Sequence, residues 1–405
     1  MQSLRKLRAF VVTCETGSAV QAARRIHLSQ PAVSAAIAVL ERTAQTALFE
    51  RGNRGMTPTP AGRQLLGRVR AGLEHLEGAA AQIRGKGAAG DRWLRLATAV
   101  QLRALCALAE TRGLSTAARR LGVAEPSVHR ALRSFEALAG VALRRRVGSA
   151  TELSPEATLL ARAANLCANE LRMGFEEIRE LRGELDGTLR VGALPMPRSH
   201  WLPRSLAATL EAHPGATAQV MDGPYENQLA ALRNGQIDVL LGALRFPSPG
   251  ADVIQEPLFE DPLSIVVRAG HPLTARAGGT GGGPTAAQLR GLSWLLPPWA
   301  TPARQTFERF MARHGAGPAH CVVECNSLVA IRSLLLGSDY AALISVQQVE
   351  FELGLGKLRV LGPPIPGTAH PIGLAMRRGF QPTGLLRAFM GHVREFAGLP
   401  RPAGR

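Results

Sequence analysis

The chain opens on a helical stripe. In LRKLRAFVVTCE, Leu4, Leu7, Phe10 and Val11 share one helical face. Gly17-Ser18 breaks the pattern, and Ala19 to Ile26 resumes it as a short helix of small residues that permits close packing. His27-Leu28 turns the chain. Ser29 then stands where a hydroxyl caps the next helix, with Pro31 in the first turn, where its missing N–H costs little. Val33, Ile37 and Leu40 give that helix a buried face at spacings of four and three. LFERGNRGMTPTPAG supplies the Gly and Asn of a tight hairpin around Arg51 and Arg54. Beyond it, Leu66, Val69, Leu73, Leu76, Ala80 and Ile83 alternate spacings of three and four. That is either a coiled-coil seam or the buried stripe of an ordinary amphipathic helix.

The same pattern then recurs. AARRIHLSQPAVSAAIAVLE (22–41) returns as AARRLGVAEPSVHRALRSFE (117–136) at a fixed offset of 95 residues. Leu7, Glu15, Thr16, Pro31, Val33, Glu41, Leu48, Arg51 and Pro60 meet Leu102, Glu110, Thr111, Pro126, Val128, Glu136, Leu143, Arg146 and Pro155 without a gap. A gapless register over about sixty residues reads most simply as a duplicated domain. Ala161, Ala164, Ala168, Leu171, Phe175 and Ile178 continue the second copy into a second long helix, and the glycines of GKGAAGD (85–91) make a flexible connector.

From residue 187 the rhythm changes. GTLRVGAL, ATAQVMDG and IDVLLGAL read as strands, separated by the helical WLPRSLAATLEAH and ENQLAALRNG. PLSIVVRAG, HCVVEC, AALISV and IGLAMRRG add strands, and LLRAFMGHVREF closes with a helix. Such alternation predicts a parallel sheet with helices on both faces. Ligands in such folds bind beyond the carboxyl ends of strands. Those ends fall at 195–199, at 242–244 and at Asn326-Ser327. The glycine-rich 275–285 reads as a loose surface loop, and without a following Lys-Ser/Thr it is no phosphate cradle.

Composition narrows the function. A chain of 405 residues with 46% hydrophobic and 20% charged residues has room for two to four domains. The net charge is +17, with 28 Lys+Arg against 17 Asp+Glu in residues 1–187 and 20 against 14 thereafter. Positive charge favours polyanions. A preference for arginine explains the excess as well, since Lys6, Lys86 and Lys357 are the only lysines. Five cysteines fit reduced thiols, and no His/Cys cluster has metal-ligand spacing. MQSLRKLRAF is too short and polar for a secretory signal, and no run reaches a membrane span, so a cytoplasmic protein without membrane contact is expected. No Ser/His/Asp constellation, G-x-S-x-G or H-E-x-x-H is present, which argues against an enzyme.

Helix, turn and helix with polar groups at the second start is the plan by which a recognition helix enters the DNA major groove. A plain three-helix packing module shares that pattern. TGSAVQAARRIHLSQPAVSAAIAVLE, LFER and TPAG together resemble the winged helix-turn-helix of LysR-type transcriptional regulators over residues 3–66. Residues 98–161 resemble it more weakly, with Ala124-Glu125 for Ser-Gln and LRRR for LFER. LRVGA, IDV and the run around EDPLSIVVRAGHPL are similar to the family's effector domain, a two-lobed fold like periplasmic solute-binding proteins.

The resemblance implies a multidomain chain. Two all-α winged helix-turn-helix domains with long linker helices precede an α/β two-lobed effector domain. The boundaries expected are 1–60 for copy 1, 61–90 for linker helix and connector, and 91–155 for copy 2. The second linker helix is expected at 156–186, the effector domain at 187–398 and a tail at 399–405. Ser29, Gln30, Pro31, Ala32, Ser34, Ala35, Arg51 and Arg54 would face DNA from copy 1, although the family usually carries a longer polar side chain where Ala35 and Ala36 stand. Ser127, His129, Arg130, Arg133 and Arg146 would do so from copy 2, with Glu125 opposing phosphate, or copy 2 would only mimic a partner subunit. The cleft candidates are Met196, Arg198, Ser199, Ala243, Trp299, Thr301, Asn326, Ser327, Ile344 and Ser345.

The function implied is ligand-responsive transcriptional regulation, with a non-sensing architectural DNA binder as the rival. Partners would be double-stranded promoter DNA, RNA polymerase, further copies of the chain, and a sugar or an aromatic or organic acid as effector. No cofactor or metal is expected. The two linker helices in one chain suggest an internal pseudo-dimer over 1–182, with its seams paired antiparallel or nearly so; the rival is that each seam pairs with another chain in a higher oligomer. Helix 61–84 would span ~36 Å at about 1.5 Å per residue, close to one turn of DNA at ~34 Å.

Overall fold

The computed structural model describes residues 2–52, 55–84, 92–111, 113–147, 150–199, 201–276, 283–299 and 301–398. Arg54, the connector 85–91, the loop 277–282, the tail 399–405 and the side chain of Arg146 lie outside that description. Helices α1 (Leu4–Thr16), α2 (Ala19–Arg25) and α3 (Gln30–Ala44) are followed by the antiparallel hairpin of β1 (Phe49–Gly52) and β2 (Gly55–Pro58). The 25-residue α4 (Pro60–Arg84) comes next. After the short α5 (Arg92–Leu96), the same order recurs. It comprises α6 (Ala99–Thr111), α7 (Leu114–Leu121), α8 (Glu125–Ala139), the hairpin of β3 (Arg144–Val147) and β4 (Ala150–Leu153), and α9 (Pro155–Glu180).

The two sets share individual bonds. The Leu48 amide donates to Glu41 at 3.0 Å, and the Leu143 amide donates to Glu136 at 2.9 Å. Thr59 Oγ1 donates to the Ala47 carbonyl, and Ser154 Oγ donates to that of Ala142. Glu15 pairs with Arg25 at 3.1 Å, and Glu110 pairs with Arg120 at 2.6 Å. Each bond satisfies a backbone group, or holds a charge, where a helix hands over to a turn. Leu4, Leu7, Phe10, Val33, Ile37 and Leu40 are buried, as their periodicity predicts.

Helices α4 and α9 pack antiparallel. Gln64 Nε2 donates to Glu177 at 2.7 Å near one end, and Gly72 faces Cys167 farther along. Leu65, Val69, Leu76 and Ile83 meet Ala161, Ala164, Cys167 and Leu171 in one core. Fully burying a Leu or Val contributes about 1.5–3 kcal/mol. The seam differs from the expected one by single residues. Leu65 rather than Leu66 is innermost, and Cys167 and Gly174 replace Ala168 and Phe175. Helix α9 is packed by α4 and by α6 and is bonded to the C-terminal half through Arg162 and Arg172, so its buried surface is wider than one stripe.

The C-terminal half has two five-stranded sheets. The first has the order β6-β5-β7-β14-β8, from β5 (Gly187–Ala193), β6 (Ala216–Asp222), β7 (Val239–Ala243), β8 (Val253–Asp261) and β14 (His370–Arg377). Around it pack α10 (Trp201–Ala212), α11 (Tyr225–Arg233) and α17 (Gly384–Phe396). The second has the order β11-β10-β12-β9-β13, from β9 (Leu263–Arg268), β10 (Ser293–Leu296), β11 (His320–Glu324), β12 (Tyr340–Ser345) and β13 (Leu358–Val360). With it go α12 (Pro272–Arg276), α13 (Ala286–Gly291), α14 (Pro302–Arg313), α15 (Leu328–Gly337) and α16 (Glu350–Gly354). We call these lobe I and lobe II. The chain crosses between them at Pro262 and again over 361–369. The expected all-parallel sheet is mixed, because each crossing returns a strand antiparallel to its neighbours, β14 between β7 and β8 and β9 between β12 and β13.

Candidate DNA-reading surfaces and effector cleft

In the first unit, Ser18 caps α2 by accepting from the Gln21 amide, and Ser29 caps α3 by accepting from that of Ala32. The turn between them needs His27 at φ 54°, in the left-handed region. Ser29, Gln30, Pro31, Ala32 and Ala35 are exposed at the start of α3, and Ser34 is half-buried. Gln30 Nε2 donates to Ser34 Oγ at 3.1 Å, which fixes the Gln30 amide along the helix surface. Ala36, beside Ala35, is buried and takes no part in that surface. Arg51 stands 67% exposed on the hairpin, 4.0 Å from Glu41.

The second unit differs at its helix start. Ala124 occupies the cap position of α8 and makes no side-chain cap bond. Glu125 supplies an acidic group in the first turn instead, where free N–H groups favour negative charge. Arg130 and Arg133 are exposed on α8, and Ser127 and His129 are half-buried. Arg145 of the hairpin pairs with Glu152 at 3.9 Å. A cavity of about 1120 Å³ separates the first turn of α7 and Glu125 from Asn227 and Asn234 of lobe I.

The expected cleft residues separate into groups. Met196 and Ser199 follow β5, Ala243 ends β7, and Thr301, Asn326 and Ser327 precede helices of lobe II. Thr301 caps α14 by accepting from the Arg304 amide and donates to the Pro298 carbonyl at 2.8 Å. Ser327 caps α15 through the Ala330 amide. Trp299 is 65% exposed, with the Arg304 guanidinium 4.5 Å over its ring. Arg198 is paired with Asp222.

Two expected residues are turned away. Ile344 lies in the apolar cluster of Val266, Leu295 and Leu335, because its strand position faces the lobe II core. Ser345 is buried and saturated, donating to Asp261 at 2.8 Å and accepting from the Gln347 amide at 3.1 Å. Burial holds the Asp261 carboxyl above the usual carboxylate range, against the lowering effect of the Ser345 bond.

A cavity of about 430 Å³ spans the lobes, lined by Ser199 of lobe I and by Arg332, Gln347, Phe351 and Leu355 of lobe II. Sequence reasoning anticipated only Ser199 of these. Phe351 and Leu355 are exposed apolar residues four apart, a spacing that was available as a signal.

Both linker helices are bonded to lobe I. Arg68 of α4 donates to Glu177 and Glu170 of α9 and, at 2.8 Å, to the Gln381 carbonyl. Burial works against its charge, and the bonds to Glu177 and Glu170 more than reverse this, so the guanidinium is held firmly protonated. Glu180 accepts from the Gly384 amide at the start of α17, at 2.6 Å. Arg162 pairs with Asp252 at 3.1 Å. These residues gave no sign in the sequence, since each alone reads as a solvated charge.

Comparison with known proteins identifies the architecture. Residues 4–63 and 100–158 match the family described as bacterial regulatory helix-turn-helix protein, lysR family. Residues 182–398 match the LysR substrate binding domain. The HTH-type transcriptional regulator GalR of Pseudomonas putida is 32% identical over 398 residues, covering 98% of this chain and 97% of its own. The chain belongs to the LysR family. It is a ligand-responsive, DNA-binding transcriptional regulator with a helix-turn-helix and an effector-binding domain, and the LysR relatives are regulators rather than enzymes. PcaQ of Agrobacterium fabrum, another HTH-type transcriptional regulator, is 28% identical and covers 72% of this chain but 92% of its own. The LysR fold is also that of a full-length OxyR from Pseudomonas aeruginosa, with a TM-score of 0.53 at 24% identity over 76% of this chain and 98% of that one. Among the described residues no helix is long and apolar enough to cross a membrane.

Proposed function

We propose that residues 1–60 and 91–155 are two copies of one winged DNA-reading head, and that α4 and α9 join them as a built-in dimer. The antiparallel pairing of α4 with α9 inside one chain carries this reading. The matched bonds at an offset of 95 residues support it. Ser29, Gln30, Pro31, Ala32, Ser34 and Ala35 meet base edges and phosphates from the first head, with Arg51 and Arg54 on the flanking backbone. The second head uses Ser127, His129, Arg130, Arg133 and Arg146. Its Glu125 disfavours phosphate and accepts from a cytosine amino group.

The effector enters between the lobes, against Met196, Arg198, Ser199, Ala243, Trp299, Thr301, Asn326 and Ser327. The exposed Trp299 ring favours a planar or sugar-like face, and the helix starts at Thr301 and Ser327 favour an anionic group. Ligand binding shifts the population between two assemblies, with further copies of the chain and RNA polymerase as partners.

Footprinting of the full chain on promoter DNA, with sedimentation of the complex, tests the head assignment. Two half-sites per chain, about one turn or ~34 Å apart, are expected. One half-site per chain, unchanged by Arg130→Ala and Arg133→Ala, would mean that the second copy is scaffold.

A further inference from the structure

The cavity of about 1120 Å³ between the second unit and lobe I lies apart from the effector cleft, and no described residue of lobe II lines it. Three bodies wall it. The second unit contributes the first turn of α7, and α9 contributes Thr158, Arg162 and Asn165. Lobe I contributes Met221 of β6, Asn227 and Asn234 of α11, and Gln236. Ligand pockets gather at such domain interfaces, and this one has room for a whole small molecule.

The walls are built of hydrogen-bonding groups without protein partners. The side-chain amides of Asn165, Asn227, Asn234 and Gln236 are bonded to no described residue. Each offers two donors and an acceptor. Asn165, Asn234 and Gln236 are half-buried, so these groups are satisfied by whatever fills the space. Ser115 and Thr158 add hydroxyls, and Leu114, Leu153 and Met221 add apolar surface.

Charge selects among ligands. Glu110 is paired with Arg120 at 2.6 Å, Glu152 with Arg145 at 3.9 Å, and Arg162 with Asp252 at 3.1 Å. Arg144 and Glu125 remain, one of each sign. With these pairs the walls carry no net charge, so they favour a neutral ligand over an organic acid. The first unit lacks this lining. At the offset of 95 residues, Ser115, Thr158 and Asn165 correspond to Val20, Arg63 and Arg70. Arg63 donates to the Pro58 carbonyl at 2.7 Å, and Arg70 pairs with Glu15 at 3.3 Å. An apolar residue and two cations of the first unit are exchanged in the second for neutral hydroxyl and amide groups, and all three fall on the wall of one cavity.

We propose that this cavity is a second ligand site, for a neutral polyhydroxylated molecule of the size of a mono- or disaccharide. Its hydroxyls use both the donors and the acceptors of the amide side chains, and its C–H faces rest on Leu114, Leu153 and Met221. Bound there, the ligand touches the second unit, α9 and lobe I together, and so sets how far the second unit stands from lobe I. The site requires neither the cleft assignment nor DNA reading by the second unit.

Saturation-transfer NMR of the full chain with glucose and sucrose as probes, and benzoate as the charged control, tests it. At least one sugar is expected to bind, and amide exchange over 113–116 and 227–236 is expected to slow when it does. Asn227→Ala, at an exposed position, should weaken binding about two- to tenfold, as for one lost hydrogen bond. Asn165→Arg, which restores the residue of the first unit, should abolish it. Trp299→Ala, in the cleft between the lobes, should leave it unchanged. The proposal is overturned if neither sugar binds, if benzoate protects the same amides, or if Asn227→Ala and Asn165→Arg leave sugar binding as it was. Sugar binding that falls with Trp299→Ala instead would strike this site and leave the cleft assignment standing.

Discussion

Replacing Arg68 by methionine should loosen the join between the two linker helices far more than its apolar loss suggests. The side chains of Arg68, Glu177 and Glu170 are 9%, 8% and 12% exposed. Methionine fills most of the same path, so the void is small. What remains is two buried carboxylates that have lost their shared cation, and a Gln381 carbonyl that has lost its donor. Breaking one side of a buried ion pair costs about 3–5 kcal/mol. A multidomain chain does not unfold in one step, so a single melting curve is the wrong assay. Exchange protection of the α4 and α9 amides reads the local free energy instead. At 1.4 kcal/mol per factor of ten, protection should fall by roughly two to four powers of ten. Adding Glu170→Gln and Glu177→Gln removes the stranded charge and should restore most of it. A loss below tenfold, or a triple variant no better than the single one, would refute the argument.

Other outcomes follow from single contacts. Gly174→Ala should destabilise, because its Cβ would stand 3.0 Å from the Arg68 Cβ, whereas Gly78→Ala, with open space around it on α4, should stabilise that helix by about 1 kcal/mol, read as exchange protection of its amides. Asp261→Asn keeps an acceptor for Ser345 and removes a buried charge. The folded pKa of Asp261 is raised, so its stability contribution is present below the ordinary aspartate pKa and lost as pH rises through the folded value. The amides of β8 and β12 should therefore be better protected from exchange in the variant than in the parent at pH 7, and equally at pH 3.5. Arg51→Ala should weaken DNA binding across all sequences and reduce the salt slope by about one, measured by titration at several ionic strengths.

Much of the fold was legible in the sequence, for a physical reason. The core faces of α1 and α3 repeat with helical period, so Leu4, Phe10, Val33 and Ile37 could be assigned without knowing their partners. The antiparallel seam was legible because the same stripe is written twice. So were most of its inner residues, Val69, Leu76, Ile83, Ala161, Ala164 and Leu171 among them; Gly72 and Gly174 were not, because a glycine is silent in a hydrophobic pattern even where it brings two backbones close. The cleft loops could be placed from strand ends, but Ile344 and Ser345 could not, since which side of β12 faces the core depends on the strands beside it. The Arg68 cluster joins residues 102 to 313 positions apart, and no local pattern marks such meetings.

The attachment of lobe I to α9 has a further consequence. A pair of identical subunits has no front or back, and suits a palindrome. Here the first unit presents Ser29, Gln30 and Ala35 where the second presents Ala124, Glu125 and Arg130, and lobe I stands across a cavity from the second unit. On the proposal that both units read DNA, halves free to change alone suit an asymmetric sequence, and the chain lies on it in one orientation. On that same proposal, the order of the two units along the polypeptide is an arrow along the DNA, and it sets on which side of the operator the ligand is sensed.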